Sequence, residues 1–156
     1  MINILDIGNS ELEYKDEVSA SLQEAQCYLM RHEWCTAIEA GWIASSFGYI
    51  LNIFYFKIIP DHISCDDDFV WIIVGDIPPA YIDIISATNA FEALYCYIHL
   101  MDEWVKKVKK GDSTDECFPI NAPPKRKYAK MLESRLKILK EDYLPIINGN
   151  PLAELT

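Results

Sequence analysis

Tyr49-Ile-Leu-Asn-Ile-Phe-Tyr-Phe-Lys-Ile-Ile59 is the stretch on which the fold turns. It is a run of large apolar side chains, many β-branched or aromatic, with almost no polar alternation, and Pro60-Asp61 ends it. Such residues suit a pleated, packed surface. A run apolar on both faces points to a strand covered on both sides, or covered on one and used on the other. Asp66-Asp67-Asp68 then makes a charged turn, and Phe69-Val-Trp-Ile-Ile-Val74 follows as a second strand that stops at Gly75-Asp76. The connection from Pro60 to Asp68 is short enough for an antiparallel hairpin. Upstream, residues 36–48 read as either a strand or a short helix, and Gly41 and Gly48 weaken both. Downstream, Ile77-Pro78-Pro79-Ala-Tyr81 reads as a rigid exit loop, because two consecutive prolines remove two ladder donors.

Helices flank this centre. Ser10-Glu-Leu-Glu13 has capping-box spacing, and Leu12, Val18, Leu22, Ala25 and Leu29 recur at helical period, so a first helix is expected from Glu11 to about His32. Ser86 or Thr88 can cap a second helix, whose buried stripe would be Phe91, Leu94, Tyr95, Ile98, Met101, Val105 and Val108. Four lysines between Lys106 and Lys110 complement its dipole and Gly111 stops it. Pro123-Pro124 opens a third helix with Tyr128, Leu132, Arg135, Leu136, Leu139 and Tyr143 facing inward, ended by Pro145. The expected class is α+β: an N-terminal helix, a central antiparallel sheet or hairpin, and a C-terminal antiparallel helix pair packed on it. A chain of 156 residues that is 51% hydrophobic can bury one core, so one domain over residues 1–156 is expected, with 146–156 as a loosely packed tail.

The stretch from Ala40 to Ile59 is long and apolar enough to raise a membrane span. Gly41, Ser45, Ser46, Gly48, Asn52 and Lys57 interrupt it, no basic cluster flanks it, and no membrane association is expected. The N-terminus has neither a basic n-region nor a small-residue cleavage site. The cysteines, Cys27, Cys35, Cys65, Cys96 and Cys117, are odd in number and unpaired in spacing. They read as free thiols in a reducing cytoplasm, with Cys27 and Cys96 as packing residues on helix stripes.

Charge is distributed unevenly. From Met1 to Pro78 there are thirteen acids against three bases, Lys15, Arg31 and Lys57, which accounts for the whole formal net charge of −10. From Pro79 to Thr156 eleven acids and eleven bases cancel. A field of this sign repels nucleic acid and anionic lipid and attracts a basic partner. The lysine clusters of the second half are explained by helix capping and solvation, so no nucleic-acid partner is expected.

No catalytic motif competes with that signal. There is no Gly-x-Ser-x-Gly, no glycine-rich phosphate loop and no cysteine in a recognised local signature. His99, Asp102 and Glu103 share one helix face, but a second metal-binding helix is missing. Asp66-Asp67-Asp68 lacks the alternating ligands, glycine and distal glutamate of a calcium loop. Catalytic, metal and cofactor residues are therefore assigned to none.

The run Trp71-Ile-Ile-Val-Gly-Asp-Ile-Pro-Pro-Ala-Tyr-Ile82 resembles a family of small, acidic, uncharacterised bacterial domains. In that family a Trp-rich strand enters Gly-Asp-Leu/Ile-Pro-x-x-Tyr-Ile and two helices follow. Gly75, Asp76, Pro78, Tyr81 and Ile82 match the central motif, and the resemblance spans roughly Phe69 to Tyr143. It implies an α+β fold and a bacterial origin. The family has no established activity, so it assigns no residue a role.

The expected function is recognition of a basic protein, in its most concrete form a cytoplasmic bacterial immunity protein that occludes a cognate toxin. The candidate contacts are Glu33, Glu39, Asp61, Asp66, Asp67, Asp68 and Asp76, with Trp42 and Trp71 as aromatic anchors alongside Trp34, Tyr49 and Tyr55. One alternative is a small-ligand site or enzyme using Asp76, Tyr81 and His99 around a strand-end cavity. Another is self-association through the aromatic strand.

Overall fold

The apolar centre of the chain forms a four-stranded antiparallel sheet, which the computed structural model shows together with its helices over residues 15–147. The strands are β1 (Cys35–Phe47), β2 (Leu51–Pro60), β3 (Phe69–Gly75) and β4 (Ile77–Asp83), and they lie side by side in chain order. The undecided segment 36–48 is thus a strand, paired along its length with β2 from Cys35↔Pro60 to Phe47↔Leu51. Three register irregularities, at Thr36, Glu39 and Ala44, interrupt the ladder, as bulges do in twisted ribbons.

Both faces of the sheet are covered, which is why β2 and β3 lack polar alternation. Leu51, Ile53, Trp71, Ile73, Ala80 and Ile82 face one core, beneath α2 (Ala90–Lys110) and α3 (Arg126–Ile138). Phe54, Phe56, Ile58, Val70, Ile72 and Val74 face the other, where α1 (Lys15–Met30) lays Val18, Ala25 and Leu29. The fully buried Asn52 on the α1 side is satisfied: its amide donates to Ser21 Oγ at 2.9 Å and to the Gly48 carbonyl at 2.8 Å, and its Oδ1 accepts from Ser46 at 2.6 Å. Helices α2 and α3 run antiparallel, since Arg126 at the start of α3 donates to the carbonyl of Lys109 at the end of α2 (2.9 Å), and Lys109 pairs with Glu133.

Five readings of the sequence are corrected. Ile77–Tyr81 is not an exit loop but part of edge strand β4. Its prolines fall where the register shifts between Ile73↔Ala80 and Gly75↔Ile77, so that Pro78 and Pro79 together oppose Val74. An edge bulge needs no donor from them. The N-cap of α2 is Asn89, whose side chain accepts from the Glu92 amide at 2.8 Å, while Thr88 Oγ1 donates to Glu92 instead. The third helix starts at Arg126, after Pro123-Pro124, and gives way to one π-helical turn over Leu139–Tyr143. Cys27 is exposed, because it lies between the buried Ala25 and Leu29 on the outward side of α1. Tyr95 is exposed too, its place in the α2 core taken by Ala93 and Tyr97. The proposed capping box Ser10–Glu13 and the tail beyond residue 147 lie outside the described residues. Among those described, no helix is long and apolar enough to cross a membrane.

Candidate partner-binding site

Strand pairing gathers six carboxylates at one end of the sheet. Cys35 pairs with Pro60, Lys57 with Phe69, and Val70 with Asp83. Glu33, Asp61, Asp66, Asp67, Asp68 and Asp83 therefore sit around the same rim. Between Glu33 and Asp83 the chain has one lysine, Lys57, and no arginine. Lys57 pairs with Glu39 at 3.6 Å across the β1–β2 ladder. The carboxyl-terminal lysines pair within the helical layer, Lys106 with Asp102 along α2 at 2.8 Å and Lys109 with Glu133 across to α3, and among the described residues no ion pair joins them to this rim.

The loop joining β2 to β3 is built on Asp61. Its Oδ1 accepts from the amides of Ile63 (3.0 Å), Ser64 (2.9 Å) and Cys65 (3.1 Å). Its own amide donates to the Trp34 carbonyl at 3.0 Å, which ties the loop to the entry of β1. His62 closes the turn at φ 61°, its amide bonded to the Cys65 carbonyl and its Nδ1 3.1 Å from Asp66. Burial pushes the Asp61 carboxyl up, but the three amides outweigh it and hold the group below its ordinary range. A carboxyl depressed by folding lends stability above its unfolded pKa, and that stability fades as pH falls through the folded value. The loop over residues 61–65 should therefore stay ordered at neutral pH and lose protection only in acid, below the ordinary aspartate range. Amide exchange of Ile63, Ser64 and Cys65 against pH is the check, and Asp61→Asn should weaken protection across the neutral range. Cys65, beside it, is a poor nucleophile: burial raises its thiol pKa and the charges of Asp67, Asp61 and Asp66 raise it further.

Aromatic rings line the rim. A cavity of about 210 Å³ opens between Trp34, Phe69 and Tyr81, with Asp67 and Asp83 in its wall. Trp34 and Tyr81 meet edge to face at 5.1 Å, and His32 packs against both. Asp83 accepts from the Ser86 amide at 2.7 Å and from the Ser86 hydroxyl at 3.0 Å, which fixes its carboxylate. A second cavity, of about 370 Å³, lies across Tyr81 and Asp83 and reaches His99, Tyr95 and Phe118.

The expected site residues are thereby divided. Glu33, Glu39, Asp61, Asp66, Asp67 and Asp68 stand at or beside the rim. Asp76 does not: it occupies the β3–β4 turn at the opposite end, seven residues on from Phe69, about 23 Å away at the rise of a strand, and pairs with Arg135 at 3.3 Å. Trp71 is 0% exposed, with its indole donating to the Ala87 carbonyl at 3.0 Å, so it belongs to the core and offers no surface. Trp42 is half-buried on the α2 face of the sheet, 6.0 Å from Tyr55, away from the rim. The small-ligand alternative loses convergence for the same reason, since Tyr81 and His99 share a cavity that Asp76 does not reach. Asp83 and Phe69 were missed. The signal was available in the tight turn at Gly75-Asp76, which sends β4 back along β3 and places Asp83 opposite Val70.

The fold and rim define a class: an α+β domain whose sheet ends in a carboxylate-rich, aromatic-walled edge. Comparison with known proteins finds no matching family model, no matching curated protein and no matching solved structure.

Proposed function

We propose that this chain binds a basic protein through the Glu33–Asp61–Asp68–Asp83 rim, and that its concrete role is that of a cytoplasmic bacterial immunity protein occluding a cognate toxin. The observation that carries the reading is the convergence of six carboxylates on one end of the sheet, with the only lysine between Glu33 and Asp83 already paired. Carboxylates so placed stand where a nuclease would bind phosphate, or pair with its arginines and lysines. Trp34 and Tyr81 supply the rigid aromatic surface on which such interfaces concentrate their energy. In this reading no residue performs chemistry. The likeness of Gly75, Asp76, Pro78, Tyr81 and Ile82 to a motif of small acidic bacterial domains supports the same origin.

The test is co-expression with basic bacterial toxins, one of which this chain should neutralise, restoring growth to the cells that toxin poisons. Reversing Asp66, Asp67 and Asp68 to lysine should then slow association on the order of tenfold or more at low salt and flatten its salt dependence. Unchanged kinetics in the reversed variant would remove the electrostatic basis of the reading.

A further inference from the structure

We infer that the cavity between Trp34, Phe69 and Tyr81 receives an arginine side chain of the basic partner. The inference rests on the reading above and names the group that the rim recognises. The space, about 210 Å³, has room for one planar side chain and is too small for a folded element. Its walls carry three aromatic rings, and tryptophan is the side chain on which a guanidinium stacks best. The two carboxylates in the wall differ in a useful way. Asp83 is oriented by its two bonds from Ser86. Asp67 is half-buried, and its carboxylate makes no hydrogen bond or ion pair among the described residues. A guanidinium presents donors along two edges, so it can meet both carboxylates while its plane lies on the rings. Lysine, a compact and strongly hydrated point charge, fits this geometry less well. Cys65 also lines the cavity with its thiol held protonated, which leaves the two aspartates as its anionic groups.

The experiment titrates N-acetyl-arginine amide into the isotope-labelled full chain and follows the Trp34 indole resonance, assigned with Trp34→Phe. A saturable shift at the Trp34 indole and the Asp67 and Asp83 amides is expected. The uncharged citrulline analogue should give none, and the lysine analogue should bind at least about threefold more weakly. Asp67→Asn, which leaves the Ser86 contacts intact, should weaken the arginine probe by a similar factor. Shifts spread over Glu33, Asp66 and Asp68 without saturation at Trp34 overturn the inference, as does citrulline or lysine binding equally well. If the probe fails at Trp34 while the Asp66–Asp68 reversal still slows partner association, the cavity falls and the acidic-rim reading stands. If the probe saturates at Trp34 and Asp67→Asn slows partner association while reversal of Asp66 and Asp68 alone changes nothing, the cavity stands and the wider acidic-rim reading falls.

Discussion

Gly75→Ala should destabilise the fold by at least about 3 kcal/mol, read as a fall in the urea midpoint at unchanged slope. Gly75 has φ +149°, a region that side chains rarely enter, and an added Cβ would lie 2.2 Å from the Ile50 carbonyl oxygen and 2.7 Å from its carbon. Both atoms are backbone, so no side chain can swing aside. The approach is needed because the Asp76 amide donates to that carbonyl at 3.1 Å, joining the β3–β4 turn to the start of β2. Gly111 is the control. It also has positive φ, +75°, but a Cβ there meets nothing within 4 Å, so Gly111→Ala should cost only about 1 kcal/mol, for conformation alone. Equal costs at the two sites would mean that the turn does not close on β2 in solution. Because Gly75 lies at the end of the sheet remote from the rim, partner affinity should survive in whatever fraction of Gly75→Ala remains folded.

Periodicity made the elements legible, and register decided where the site lies. The apolar runs 49–59 and 69–74 announced β2 and β3, and the alternation of Leu51, Ile53 and Tyr55 with Phe54 and Phe56 became a division between two cores. What residue type alone does not carry is which strand end a residue occupies. Asp68 and Asp76 look equivalent as acids that border strand β3, yet they lie at its opposite ends, one on the uncompensated rim and the other beside Arg135. Two prolines hid β4 because a missing donor is costly inside a sheet and harmless at an edge bulge. With β4 hidden, Asp83 had no position. Exposure on a helix misled in the same way: Cys27 and Tyr95 sit within a residue or two of the buried stripes, and a rotation of one position separates core from surface.

The tryptophans give the sharpest separation of fold from function. Trp71→Ala should cost about 3–5 kcal/mol of stability, since it empties the largest fully buried side chain of the core. It also strands the Ala87 carbonyl, which the indole binds at 3.0 Å at the entry to α2. Four residues earlier, the Asp83 carbonyl accepts from the Ala87 amide at 3.2 Å. Loss of Trp71 therefore loosens the segment that carries Asp83 to the rim, but it removes no surface from a partner. Trp34→Ala removes a half-buried ring that packs on His32 and Tyr81, at a stability cost of about 1–2 kcal/mol. It should instead raise the partner's dissociation rate by about thirtyfold, the loss of one aromatic anchor worth about 2 kcal/mol. Urea unfolding and dissociation kinetics measured on both variants set the two roles against each other. A Trp34→Ala variant that holds its partner as tightly as the parent would move the interface off this rim. A Trp71→Ala variant of parental stability would contradict the buried indole and, with it, the route by which the core holds Asp83 in place.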